Sequence, residues 1–302
     1  IFFCWGFTST SVDMLIPRIK SMFDLSYTSA LLIQFSFFLA YLFVPIPAGK
    51  FVQCYGYRQS LFIGLALTAL GVLLLAPSVM LQFYPAFLGG IFVTASGIAV
   101  LQVTANPMIL NLGNPITAPR RLMFSQAFNS LGTTIAPVIA SVSLLSIDTL
   151  STGQINLLPL GEKATYHQDS TQATISFALV LGSLVGILAL IIRALPQLNL
   201  QSSKKTQTAD KTVISSYLSL LKKRKVYLGM GAIFFYVGAE VTIGSLLINY
   251  MRREDVLAIE ASDASALVAV YWGLAMLGRF AGVEALKWFS PEKILMLASA
   301  MA

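Results

Sequence analysis

Charge is scarce in this chain of 302 residues: Asp, Glu, Lys and Arg together make up 11%, against roughly 25% in soluble domains. A soluble globular protein is excluded on that ground. Cysteine and histidine are scarcer still. The 2 cysteines, Cys4 and Cys54, sit in or beside apolar segments and show no CxxC or Cys/His spacing, so neither a disulfide framework nor a zinc site is indicated. His167, the 1 histidine, falls in a polar stretch between apolar runs and reads as a solvated loop residue. No Ser/His pair, no buried His/Asp/Glu cluster and no Gly-rich phosphate loop is present. The chain is therefore not read as an enzyme, and no metal or organic cofactor is expected. The formal charge of +7 comes from basic residues dispersed between apolar stretches, which speaks against a nucleic-acid partner.

What the sequence does have is length of apolar run. A helix needs roughly 20 mostly apolar residues to cross a hydrocarbon core of about 30 Å. Eight segments meet that need: the start to Ile16, Ser29 to Phe51, Ser60 to Ser78, Phe83 to Leu112, Leu122 to Leu145, Thr174 to Ala194, Val226 to Met251 and Ser265 to Leu286. A ninth begins after Pro291. Runs such as Leu61 to Pro77 lack the alternation of barrel strands, so the protein is read as all-α and multi-pass. Ile1 and Ala302 both lie inside apolar runs, and a longer protein is expected, of which this is about eight and a half helices.

Basic residues near span ends set orientation. Of the 20 Lys and Arg, only Arg18, Lys20, Lys163, Arg252 and Arg253 fall on one side. The other side is therefore expected to be cytoplasmic, together with the amino-terminal end, and the Ser146 to Gln172 loop with Asp148, Glu162 and Asp169 faces out. The polar stretch 197–225 reads as a cytoplasmic linker dividing residues 1–196 from 226–302. Internal similarity supports the division. Phe2, Phe3, Gly6, Met14, Leu15 and Ile16 correspond at constant spacing to Phe234, Phe235, Gly238, Leu246, Leu247 and Ile248, and Ala48-Gly49 to Ala281-Gly282 one residue out of that register. A parallel repeat of six spans, linker and six spans follows.

An acid inside a span costs roughly 2.5–3.5 kcal/mol on insertion scales and asks for a role. Asp13 shares a face with Gly6, Ser9 and Thr10 by three- and four-residue spacing, a small polar stripe suited to a wet cavity; solvation near the span end is the alternative. Glu240 lies at the middle of the seventh span, flanked by Gly238 and Gly244, and either titrates or bonds a neighbouring helix. Glu284 is expected to pair with Arg279 or Lys287. Neutral amides also gather. Gln102 and Asn106 are one turn apart in the fourth span, with Pro107 removing a backbone donor. Gln126, Asn129 and Thr133 repeat that spacing in the fifth, and the second adds Gln34, Phe38 and Tyr41 on one face. Such amides either hold helices together or line a polar cavity. With Tyr236, Tyr271 and Trp272 to cover C–H surfaces, they suit a neutral sugar.

The segments Asp13-Met-Leu-Ile-Pro17, Leu101-Gln-Val-Thr-Ala-Asn-Pro107 and Arg121-Leu-Met-Phe-Ser-Gln-Ala-Phe-Asn-Ser-Leu-Gly132 together resemble the fucose/glucose/galactose permeases of the major facilitator superfamily. The resemblance continues through Tyr236-Val-Gly-Ala-Glu240, Tyr271-Trp-Gly and Gly278-Arg-Phe280. It implies a fold of two six-helix bundles, alternating access, and symport of a sugar with H+ or Na+. In the proton-coupled fucose permease an aspartate matches Asp13, and a glutamate stands where this chain has Gln102, so a two-acid proton mechanism does not carry over intact. Gln126 and Asn129 match cavity-lining positions. The loop between the second and third spans resembles the superfamily's gating loop in Gly49, Gly56 and Arg58, with Gln53 where an acid is usual; Arg279 is the corresponding gating residue of the second half.

The expected function is uptake of a hexose or 6-deoxyhexose by cation symport in a bacterial-type inner membrane, as a monomer. Asp13 and Glu240 are the cation-linked acids, and Gln34, Gln102, Asn106, Gln126, Asn129, Tyr236 and Trp272 the sugar contacts. A uniporter or exporter of another polar solute, or a sugar sensor that never cycles, is the competing reading.

Overall fold

The computed structural model describes residues 1–143, 157–195, 219–251, 253, 255–259 and 261–301. Among them are nine α-helices: α1 (Phe2–Met22), α2 (Tyr27–Phe43), α3 (Pro45–Met80), α4 (Tyr84–Asn111), α5 (Ala118–Ser143), α6 (Leu160–Ala194), α7 (Arg224–Met251), α8 (Ala261–Ala285) and α9 (Pro291–Met301). Their ends follow local chemistry. Ser26 caps α2, its hydroxyl accepting the Ser29 N–H at 3.1 Å; Pro45 opens α3, where its missing N–H costs no helical bond. Among the described residues, Pro45–Met80, Tyr84–Asn111, Gly161–Ala194, Arg224–Ile243 and Leu267–Ala285 are long and apolar enough, by length and composition, to cross a membrane. α1 and α5 carry the polar stripes and α2 is shorter.

The expected spans recur with three corrections. The first does not stop before Pro17: α1 runs through it to Met22, because a proline removes one helical bond and leaves the Asp13 carbonyl without a donor, while the buried Leu15, Ile19 and Met22 hold the last turns. The expected second span, Ser29 to Phe51, is divided: α2 ends at Phe43 and Pro45 onward belongs to α3, which takes up the expected gating loop and breaks at one point, Gly56, with φ 79° and ψ 172°. That φ is open to glycine and strained for a side chain. The expected outer loop is shorter than supposed, since α6 starts at Leu160 and takes up Glu162, Asp169 and His167. His167 is half-buried on this helix beside Tyr166. Asp148, Leu145, Lys204, Lys205, Lys211 and Arg252, and the expected linker up to residue 218, lie outside the described residues.

The chain divides into two compact units, one of residues 1–203 with 276–302 and one of residues 204–275. In the first, α3 packs most extensively on α4 and then on α6, α1 pairs with α5, and α2 with α4. Small residues permit the closest of these contacts. A Cβ on Gly71 would overlap the Thr94 backbone, one on Gly97 the Thr68 backbone, and one on Gly132 the Phe3 carbonyl. These are the small-residue seams by which membrane helices approach without a hydrophobic driving force. Leu61, Leu65, Phe87, Ile91, Ile98 and Leu101 fill the space between them and are fully buried. Arg18, counted from sequence among the outer charges, is 2% exposed and lies near Tyr166 of α6. In the second unit, Met251 and Val268 are the buried pair, with Leu247, Ile259 and Trp272 packed on them.

The basic end of the first unit is fastened by side chains that serve helix carbonyls. Arg121 donates to the Ile109 carbonyl (3.2 Å), the Leu110 carbonyl (3.0 Å), the Asn114 carbonyl (2.8 Å) and the Thr117 hydroxyl (2.5 Å). One planar guanidinium thereby satisfies the orphan acceptors at the end of α4 and complements its dipole. Arg58 does the same for α6 through the Arg193 carbonyl, and Asn111 donates to the Tyr57 hydroxyl at 3.0 Å. Arg121→Ala is expected to lower stability by roughly 2 kcal/mol, since charged hydrogen bonds are lost and carbonyls left open. Arg121→Lys recovers less than half of it, because an ammonium cannot fork. Thermal unfolding in detergent checks this; an unchanged Tm for Arg121→Ala contradicts it.

Candidate functional site

α1 separates its polar and apolar residues by face. Thr8, Ser11, Leu15 and Arg18 turn inward and are buried, whereas Ser9 and Thr10 are half-buried and Asp13 is reached by solvent. Ser9 donates to the Gly6 carbonyl at 3.1 Å. The Asp13 carboxylate lies within electrostatic range of the Tyr41 hydroxyl on α2, and it has no hydrogen-bond or ion-pair partner among the described residues. It is exposed on α1 and near α2.

Tyr41 is the hinge of a larger arrangement. The Gln102 amide on α4 donates to its hydroxyl at 3.0 Å, and Phe37 stacks on its ring with centroids 5.4 Å apart. One turn further along α4, Asn106 accepts a hydrogen bond from the Gln126 amide of α5 at 3.3 Å. The next turn of α5 brings Asn129, whose amide donates to the Phe2 carbonyl on α1 at 3.3 Å. Asp13, Tyr41, Gln102, Asn106, Gln126 and Asn129 thus form a belt that crosses α1, α2, α4 and α5. Gln102, Asn106, Gln126 and Asn129 are each half-buried, and each keeps polar groups beyond those used in these bonds.

Each amide also spends part of its capacity on the bundle. Asn129 packs directly over Gly6, where a Cβ would overlap its backbone carbonyl; it fixes α5 on α1 and keeps its side-chain oxygen as an acceptor. Gln126 and Asn106 use one donor and one acceptor on each other, which leaves the Gln126 oxygen and the Asn106 NH2 able to meet hydroxyls. Gln34 sits seven residues before Tyr41 on α2, about 10 Å along the helix, half-buried and without a partner among the described residues.

Tyr41 reads from sequence as sharing a face with Gln34 and Phe38; its bond to Gln102 depends on how α2 packs on α4 and has no signature in the spacing. Ser130 reads from sequence only as a neighbour of the Gln126 and Asn129 stripe. It is 3% exposed, and the Arg279 guanidinium donates to its hydroxyl. Beside it, Phe280 meets Phe128 edge-on with centroids 6.2 Å apart, and Gly282 sits against Met123. The last part of α8 therefore lies along the basic half of α5. Glu284 pairs with Lys287 at 2.5 Å, one of the two partners expected for it.

Three of the remaining expected positions, Tyr236, Glu240 and Trp272, belong to the other unit. Tyr236 is 58% exposed on α7, and Glu240, on the same helix, is half-buried. Trp272 contributes to the small apolar cluster of that unit and meets Tyr271 edge-on at 5.2 Å. Of the gating positions, Gly56 forms the break in α3 and Arg58 the cap on α6, while Gly49 sits in the helical segment before the break. Among the described residues no group of three or more His, Cys, Asp or Glu is placed to hold a metal.

A polar belt across four packed apolar helices is a transporter's arrangement, and comparison with known proteins agrees. The sequence profile of the Major Facilitator Superfamily matches residues 1–302. A glucose/galactose transporter of Brucella abortus biovar 1 (strain 9-941) is 39% identical over 295 residues, covering 98% of this chain and 67% of that protein. The L-fucose-proton symporter of Escherichia coli (strain K12) is 29% identical over 296 residues, again 98% of this chain and 67% of the other. The crystal structure of the transporter FucP in the outward conformation superposes with a TM-score of 0.83 at 29% identity, over 97% of this chain and 71% of that one. The chain thus spans about two thirds of the length of these relatives. It belongs to the Major Facilitator Superfamily of membrane transporters, and within it to the family of glucose/galactose and fucose permeases.

Proposed function

We propose that this protein takes up a hexose or 6-deoxyhexose by proton symport, with the sugar held by the amides of the belt and the proton by Asp13. The observation that carries the reading is the continuity of that belt. Gln102, Asn106, Gln126 and Asn129 offer donors and acceptors at half-buried positions on two adjacent helices, the chemistry that several neutral hydroxyls require. The names of the relatives, glucose/galactose transporter and L-fucose-proton symporter, agree in substrate class.

Asp13 is the acid of the belt. Gln102 cannot titrate, and its amide instead donates to Tyr41, which leaves the Tyr41 proton available to the Asp13 carboxylate or to a sugar hydroxyl. The coupling step is proton loading on Asp13 from the side opposite the basic end and its release at the basic, cytoplasmic side. Protonation removes a charge that would otherwise face the closing cavity, so sugar and proton together favour the occluded state. Glu240, half-buried on α7 of the other unit, stands as a second acid that either titrates with the cation or positions sugar. Gln34 adds a sugar contact on α2, and Tyr236 and Trp272 are the sugar contacts proposed for the other unit.

The α5–α8 contact is the inner gate in its closed form. Arg279 on Ser130 and Phe280 on Phe128 join at the basic end, and rocking one bundle against the other must part them. Gly56 and Arg58 act with this gate, the glycine as the break that lets the first segment of α3 shift and the arginine as its fixed point on α6.

Two outcomes follow. In proteoliposomes, Asp13→Asn is expected to abolish accumulation of labelled sugar driven by a pH gradient while sugar counterflow persists; undiminished accumulation sinks the role of Asp13, and accumulation driven by sodium alone sinks the choice of ion. Arg279→Ala is expected to increase, about tenfold if one charged hydrogen bond is lost, the labelling of a cysteine placed at Met123 by a thiol reagent added from the basic side. Labelling that stays at the wild-type rate contradicts the gate.

A further inference from the structure

Away from the belt, a cavity of about 560 Å³ opens on the side of the bundle between α6, Phe7 of α1 and Ile139 of α5. Its α6 wall is one helical face. Asp169, Gln172, Ala173, Ser176, Val180 and Leu184 line it at three- and four-residue spacing. Ala173 and Ser176 are small enough to leave a furrow, the buried Phe177 and Leu181 form its floor, and Val180 and Leu184, each 60% exposed, form its open edge.

The furrow is in register with one leaflet of a bilayer. Counting about 30 Å of hydrocarbon back from Arg193, at 1.5 Å per residue, reaches Ala173. Asp169 and Gln172 therefore stand at headgroup level on the side opposite the basic end. The apolar wall from Ala173 to Leu184 then runs about 16 Å, close to the roughly 15 Å depth of a leaflet. Asp169 and Gln172 have no hydrogen-bond or ion-pair partner among the described residues. A carboxylate and an amide oxygen one turn apart, above an apolar furrow one leaflet deep, are complementary to a cationic headgroup that carries N–H donors.

We propose that this cavity is a binding site for an outer-leaflet phospholipid with a primary ammonium headgroup, its acyl chain along Ala173–Leu184 and its ammonium on Asp169 and Gln172. A primary ammonium offers three donors to the two side chains. A trimethylammonium offers none, and an anionic headgroup meets the carboxylate unfavourably. The site is independent of which solute crosses the belt.

Native mass spectrometry of the purified full-length protein, titrated with phosphatidylethanolamine, phosphatidylcholine and phosphatidylglycerol of identical chains, tests it. The ethanolamine lipid is expected to bind about fivefold more tightly than the choline lipid, as for one exposed charged hydrogen bond, with the glycerol lipid weakest. Asp169→Asn should erase the headgroup preference while a chain is still retained. Ala173→Leu combined with Ser176→Leu should remove retention of all three lipids without lowering the Tm in lipid-free detergent. Equal binding of the three lipids, a preference that survives Asp169→Asn, or retention unaffected by the double substitution overturns the proposal.

Discussion

The hydrogen bond from Gln102 to Tyr41 is the constraint around which the polar interior of the first bundle is arranged. In an apolar surrounding an amide must find partners, since an unpaired one costs several kcal/mol. By donating to the Tyr41 hydroxyl at 3.0 Å, Gln102 ties α2 to α4 and leaves the hydroxyl proton free for another acceptor, with the Asp13 carboxylate within electrostatic range. Had an acid stood at position 102, two carboxyl groups would have bracketed the same tyrosine. With the amide there, Asp13 is the one carboxyl group of the belt, and in the proposed mechanism it alone carries the coupling.

Around this bond the scaffold is built from close backbone contacts rather than from large side chains. Gly71 against Thr94, Gly97 against Thr68 and Gly132 against Phe3 bring α3 to α4 and α1 to α5. Because those seams are tight, the half-buried amides have little freedom to turn away from one another. Asn129 shows the consequence. Its amide bonds the Phe2 carbonyl and its backbone lies on Gly6, so one residue both fastens the bundle and keeps a side-chain acceptor for another donor. Structural and functional roles are shared in the same side chains, as the cost of polar groups in a membrane leads one to expect.

Much of this was legible in the amino-acid order. Apolar run length gave the spans, the three- and four-residue spacing of Gln102 and Asn106 and of Gln126 and Asn129 gave the polar faces, and short motifs gave the family. Other features were not legible, for particular reasons. Helix continuation through Pro17 and the helical start of α3 at Pro45 depend on packing and on a single glycine φ, which no apolar count reports. Arg121 reads in sequence as one more positive charge; its four bonds around the end of α4 exist only once α4 and α5 are folded on each other. Tyr41 looked like a packing aromatic because its partner lies 61 residues away.

The central claim is that one carboxyl group, Asp13, couples sugar to proton. The proton-to-sugar ratio, obtained from the reversal potential of sugar flux in proteoliposomes holding known sugar and pH gradients, measures it most directly. One proton per sugar is the predicted value, and it should fall to zero in Asp13→Asn. A ratio of two, or a ratio of one that persists in the variant, would contradict the account.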